Sequence, residues 1–186
     1  MSQTAPVTLA ETVRYCADIG MWALDRPISA AWRGNDAAGL AQALSRKRTQ
    51  TRRARLMTRG EAFRDYGDVA RVARIAAATP GTVWWVPTRA WRSPVLWLYI
   101  VTTLGNAKNI RILWSMDPSN APEDWAMAKR EGASTMFFGD DGLAVTPNGD
   151  RMFRCPKTWK HKAGHCAICK AGCFSTRRVD VHLKQH

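Results

Sequence analysis

Four cysteines stand close together near the C-terminal end of this 186-residue chain, at Cys155, Cys166, Cys169 and Cys173. Ionised thiols are soft donors for zinc or for iron–sulfur clusters, and short spacings let one loop wrap three donors round a metal while a fourth closes the shell. The gaps here are ten, two and three residues, with Pro156, Gly164 and Gly172 available for the turns. A single set of four thiolates satisfies tetrahedral zinc and a [4Fe–4S] cube equally well. Paired Cys-x-x-Cys knuckles would favour zinc, and one such pair in an irregular array leaves iron–sulfur open. His161 and His165 lie inside the loop, where they fit outer-shell or solvent-facing roles. The fifth cysteine, Cys16, shares an apolar helical stripe with Leu9, Val13 and Ala17 and reads as a small core residue.

A second constellation comes from loops that follow the apolar runs of the chain's middle. Arg59, Gly60 and Glu61 follow the first run, Thr88 and Arg89 the second, Ser115 and Asp117 the third, and Gly139, Asp140 and Asp141 the fourth. Ligands of parallel α/β sheets bind beyond the carboxyl ends of the strands, so these are candidate pocket residues. The pocket set is Arg59, Glu61, Thr88, Arg89, Ser115 and Asp117, with Glu61, Arg89 and Asp117 the candidates for catalysis. Charges of opposite sign converging there must pair with one another or meet a ligand. A structural pair between arginine and carboxylate is the plain alternative.

Charge supplies the third signal. Lysine and arginine total 28 against 15 acidic residues, a net charge of +13, which points to a polyanionic partner. The basic residues cluster twice. Arg46, Lys47, Arg48, Arg52 and Arg53 form one group, continued by Arg55 and Arg59. Lys157, Lys160, Lys162, Arg177 and Arg178 belong to a C-terminal stretch with nine basic residues against Asp180 alone. Four thiolates remain net negative with a metal bound, so some of these cations balance the site and the rest are free for phosphate. Of nine tryptophans most fall on apolar elements and read as core, whereas Trp91 and Trp159 sit in polar, basic surroundings where an indole could stack on a base.

The elements that must position these groups alternate. Helices are predicted over 9–19 and from an Asn35 or Asp36 cap through Leu44. Strands are then predicted at 54–58, 83–86, 110–114 and 136–138, separated by helices at 65–78, 94–104 and 122–131. Ser93–Pro94 and Asn120 mark helix starts, while Pro80–Gly81, Gly105 and Gly132 mark stops. Alternation of this kind requires a parallel sheet joined by right-handed crossovers, hence an α/β fold. Four units resemble part of a (β/α) barrel more than a closed one, and a doubly wound sheet is the alternative. The organisation is N-terminal helices and a basic linker over 1–52, a partial barrel-like core over 53–150, and a basic cysteine-rich metal-binding tail over 151–186.

Several classes are set aside. Composition is that of an ordinary globular protein, not a disordered or fibrous one. No glycine-rich phosphate loop follows the first strand. The apolar stretch at 95–104 is too short to span a membrane, and the first ten residues lack the pattern of a secretory signal, so a reducing cytoplasmic location is expected and a disulfide framework is not.

The residues Arg59-Gly60-Glu61, Thr88-Arg89, Trp114-Ser115-Met116-Asp117 and Cys155-Pro156 with Cys166, Cys169 and Cys173 resemble the gene-product-eighty-eight family of phage and plasmid proteins over roughly 55–186. That family is itself similar to reduced radical S-adenosylmethionine partial barrels. The resemblance implies a partial barrel and an iron–sulfur cluster rather than zinc. It implies an accessory protein of a mobile element, binding nucleic acid or a nucleoprotein complex. Two other functions follow from the same residues: a radical or redox enzyme using the strand-end pocket, and an inhibitor or adaptor of a host complex. A radical enzyme leaves one iron open to its cofactor, and four thiolates would close it.

Overall fold

Asp65 begins the first helix. Its carboxylate accepts the Asp68 backbone N–H at 2.9 Å, supplying one of the partners that the first turn of a helix lacks. In the computed structural model the described residues are 38–39, 53–55, 61–139, 145–159 and 171–184. Strand β1 (Arg53–Arg55) leads to helix α1 (Tyr66–Ala78), strand β2 (Val83–Thr88), a short 3-10 turn (Ala90–Arg92) and helix α2 (Pro94–Leu104). Strand β3 (Ile110–Met116), helix α3 (Pro122–Arg130) and strand β4 (Ser134–Phe138) follow, then β5 (Phe153–Arg154), the single turn α4 (Pro156–Trp159) and β6 (Asp180–Leu183). The expected helix over 9–19 and the strand positions 56–58 lie outside the described residues. Of the helix expected from Asn35 to Leu44, Ala38 and Gly39 are described and are helical.

The four predicted strands and three predicted helices of the middle region are all present. Two starts differ in detail. Ser93 stands at the N-cap of α2 without a side-chain hydrogen bond, and Pro94 sits at its first turn. Ala121, not Asn120, caps α3. Asn120 instead accepts the Asp117 N–H at 2.9 Å and donates to Asp124 at 2.8 Å. At the other end of α1, the Asn109 amide lies within 2.9 to 3.1 Å of the carbonyls of Ala76, Thr79 and Thr82, and so meets acceptors left open by the helix end.

All pairings in the six-stranded sheet are parallel, in the order β1-β2-β3-β4-β6-β5. From β1 to β4 each strand is added on the same side of its predecessor, so right-handed crossovers place α1, α2 and α3 on one face. The core agrees. Val69, Val72 and Ile75 of α1 and Ile100 and Leu104 of α2 pack with Trp84, Val86 and Ile110 of the sheet. Trp125 and Ala128 of α3 pack with Trp114, Met116 and Phe137.

After β4 the chain passes to the outer edge, forms β5, and returns inward to β6. A right-handed crossover in this reversed direction must run over the opposite face. That face carries Trp85, Leu113, Met136, Val181 and Leu183, with Cys155, Cys173, Phe174 and Val179 packed against it. The basic, cysteine-rich segment thus contributes two strands to the sheet and helps to cover its second face. No helix among the described residues is long and apolar enough to cross a membrane.

Ile100 is fully buried between α1 and the sheet, whereas Leu98, two residues earlier on α2, is 62% exposed. Ile100→Ala is expected to lower the unfolding free energy by about 2–5 kcal/mol through lost burial and a residual cavity. Leu98→Ala should change it by less than about 0.5 kcal/mol. Urea titration of the two variants measures both, and equal effects would contradict this placement of α2.

Candidate functional site

Parallel strands deliver their carboxyl ends to one edge of the sheet, and the structure brings Glu61, Thr88, Arg89 and Asp117 together there. Thr88 is the last residue of β2, and its hydroxyl donates to Glu61 Oε1. The same oxygen accepts the Phe63 N–H at 3.0 Å, and Oε2 accepts the Arg89 N–H at 2.6 Å. The Arg89 guanidinium donates in turn to Asp117 Oδ2. Asp117 Oδ1 accepts from both the backbone and the hydroxyl of Ser119. The loops after β1, β2 and β3 are therefore linked through two carboxylates.

Such a network works as a clasp. Both oxygens of Glu61 and both of Asp117 accept hydrogen bonds from the protein, three to each carboxylate. Burial pushes the Asp117 carboxyl up. The Ser119 hydrogen bonds and the Arg89 and Arg92 charges together outweigh burial and hold it below the usual aspartate value. Ser115 departs from its expected place. It lies within β3, buried, and not in the loop beyond, because the strand runs two residues further than its apolar run. Arg59 lies outside the described residues, as do Gly60, Asp140 and Asp141.

Trp91 is not a free stacking platform. It is 5% exposed and lies on the Trp114 ring at 4.8 Å with 2° between the planes, with the Arg92 guanidinium 5.2 Å above it. The 3-10 turn folds the indole inward, where its apolar area is buried, and leaves Arg92 outside. The side chain of Trp159 is outside the described set.

Cys155 and Cys173 are the two ligand candidates that can be placed. Both are of intermediate exposure, and both pack on the second-face cluster. They stand near the two ends of the β5–β6 connection, with Cys166 and Cys169 in the stretch between them. Cys16, Cys166 and Cys169 lie outside the described residues, and among the described residues no three metal-ligating side chains gather. Cys155 and Cys173 bring soft donors of the kind that a thiolate-held centre uses.

Of the basic candidates, Arg46, Lys47, Arg48, Arg52, Lys160 and Lys162 and the side chain of Lys157 fall outside the described residues. Arg53 lies on β1 with its guanidinium 5.6 Å from the Phe174 ring centre, so it belongs to the second-face cover. Arg177 is exposed just ahead of β6. Arg178 is engaged, with Nη1 3.0 Å from Asp180 Oδ2 and Nε donating to the Ala133 carbonyl at 3.2 Å. Asp180 also accepts from Thr135 at 2.7 Å. Burial raises its carboxyl pKa despite the opposing Thr135 and Arg178 contacts.

Two further polar groups went unmarked in the sequence. His182 is fully buried on β6, with Nε2 2.9 Å from the Gly139 carbonyl and its ring 5.1 Å from that of Phe137. Arg111 lies on β3 without a carboxylate partner among the described residues, and its Nε is buried without an acceptor. Neither has a motif around it. The only available signal was period-two placement within an apolar strand, and His182 was hidden because β6 was not predicted as a strand.

A carboxylate whose folded pKa lies below its unfolded one contributes stability at pH above the unfolded value, and that stability is lost as pH falls through the folded value. Asp117→Asn should therefore make stability less sensitive to acid, and should cost most near neutral pH. Urea midpoints between about pH 7 and about pH 2 measure this. Parallel curves for the variant and the natural chain would show that Asp117 carries no such linkage.

No family model, curated protein or solved structure matches this chain.

Proposed function

We propose that the chain is a cytoplasmic accessory protein of the phage or plasmid type. In this reading Cys155, Cys166, Cys169 and Cys173 hold an iron–sulfur cluster, and the surrounding basic residues bind nucleic acid or a nucleoprotein complex. The observation that carries it is the joint packing of Cys155 and Cys173 on one apolar face of the sheet. Thiols at the two ends of one crossover have no need to meet the same cluster unless something joins them. A shared inorganic centre supplies that need, and its soft donors match iron–sulfur or zinc. When bound, the centre would cross-link the C-terminal segment and could exchange one electron.

The protein's own residues do the rest of the work in this reading. Trp85, Leu113 and Met136 form the dry floor beneath the thiols. The strand-end clasp of Glu61, Arg89 and Asp117 is internally satisfied, which favours a binding protein over an enzyme acting at that edge. The net charge of +13 supplies long-range attraction to phosphate, with Arg177 and the cations of 46–53 and 157–162 as the contact set.

Two measurements test the two halves separately. Protein purified without oxygen is expected to contain iron and acid-labile sulfide in matched amounts, and Cys169→Ala should lose both and unfold at lower temperature. Zinc in their place would overturn the cluster, and a metal-free chain of unchanged stability would overturn the centre altogether. Binding to a short DNA or RNA duplex should weaken steeply with salt. For about six phosphate contacts the loss is about a thousandfold between roughly 50 and 200 mM. The absence of binding at the lower salt would rule out the nucleic-acid half.

A further inference from the structure

A cavity of about 580 Å³ opens at the amino end of β3, between α2 and the segment that leads into β6. It exists because the strands are staggered. β2 pairs with β3 from Ile110 onward, whereas β4 begins opposite Leu113, so the first three residues of β3 have a neighbour on one side only. The notch exposes a wall that is usually sealed in a parallel sheet. Its size falls in the range of small-ligand sites.

The wall has two kinds of surface. Trp97 and Leu104 of α2 give it an apolar side. Arg111 gives it a cation in an unusual state. Its Nη1 donates to the neighbouring Ile110 carbonyl at 2.7 Å, its Nε is buried without an acceptor, and no carboxylate among the described residues pairs with it. Arg177 adds an exposed guanidinium at the same cavity, while Glu131 is the one carboxylate among the described residues that lines it. Arg178 lines it too, but is already held by Asp180. Trp114, 2% exposed, brings a second buried N–H with no acceptor to the same wall.

A half-buried guanidinium without a counter-charge among the described residues is a costly arrangement, and the unpaired indole N–H of Trp114, which leaves β3 on the opposite face, has its own need for an acceptor. The guanidinium's deficit has one complement, a ligand rich in acceptor oxygens and negatively charged. We propose that this cavity binds a small organic anion, its carboxylate or phosphate group paired with the Arg111 guanidinium and its apolar body against Trp97 and Leu104. The planar fork of an arginine suits either head group. Arg177 lines this cavity and also belongs to the nucleic-acid contact set proposed above, but the anion site rests on Arg111 and does not depend on that reading.

The test is a titration of the intact protein followed through its indole N–H resonances, with the Trp114 signal assigned by Trp114→Phe. Benzoate and phenyl phosphate are the probes, inorganic phosphate tests the head group alone, and benzyl alcohol tests the apolar body alone. Saturable shifts at Trp114 are expected with benzoate, phenyl phosphate or both, and whichever binds more tightly names the head group. Benzyl alcohol and inorganic phosphate should each bind at least about tenfold more weakly than the better probe. Arg111→Met should weaken anion binding about tenfold or more without lowering the melting temperature, since it removes an unpaired buried donor. If that variant fails to fold, Arg111→Gln serves the same purpose. Equal binding of benzyl alcohol, no shift with either anion, or full anion affinity without the arginine would each overturn the proposal.

Discussion

A parallel sheet has two apolar faces, and both must be covered before it is stable in water. In this protein the covering follows from chain direction. Three successive crossovers step one way and place α1, α2 and α3 on one face; the last steps back and is carried to the other. Only that last connection contains the four clustered cysteines and much of the basic charge. The handedness of parallel crossovers thus decides on which face Cys155 and Cys173 lie, before any question of what they bind.

The polar groups divide according to whether the protein already satisfies them. Glu61, Thr88, Arg89 and Asp117 form a closed network at the carboxyl edge, as do Thr135, Arg178 and Asp180 farther along the sheet. Buried charges cost free energy unless paired, so a closed network reads as structure. Arg111 and Trp114 belong to no such network. The contrast reverses the weighting that residue type alone would give, in which carboxylates at strand ends outrank a single arginine within a strand.

Much of the fold was legible in the sequence, for physical reasons. Helices α1 to α3 carry apolar residues at helical spacing or proline and glycine at their ends, and β2 to β4 are short apolar runs between turns. The strands β5 and β6 escaped notice because they are two and four residues long and lie in a stretch dominated by charge and cysteine. Asp180 and His182 of β6 are polar yet buried, so the apolar pattern that marks a strand is broken at alternate positions. The strand-end cluster was legible in four of its five described members, because parallel topology fixes where strand ends gather. The extent of β3 was not, since Ser115 and Met116 continue a strand whose apolar run ends at Trp114. Trp91 was misplaced because charged neighbours say nothing of which way an indole turns.

The second face also shows why charge and cysteine occur together in one segment. A helix would cover Trp85, Leu113 and Met136 with apolar side chains, but this crossover has only one turn of described helix and few large apolar residues among its described positions. Cys155, Cys173, Phe174 and Val179 supply the apolar contact, and Arg53 lies over the Phe174 ring at their margin. A short, polar connection of this kind gains little from burial alone, so a cross-link among its thiols would provide much of what a helix provides elsewhere. Under the proposed reading the cations of this segment would have two functions at once: they would offset the negative charge of a thiolate centre, and any surplus would attract phosphate.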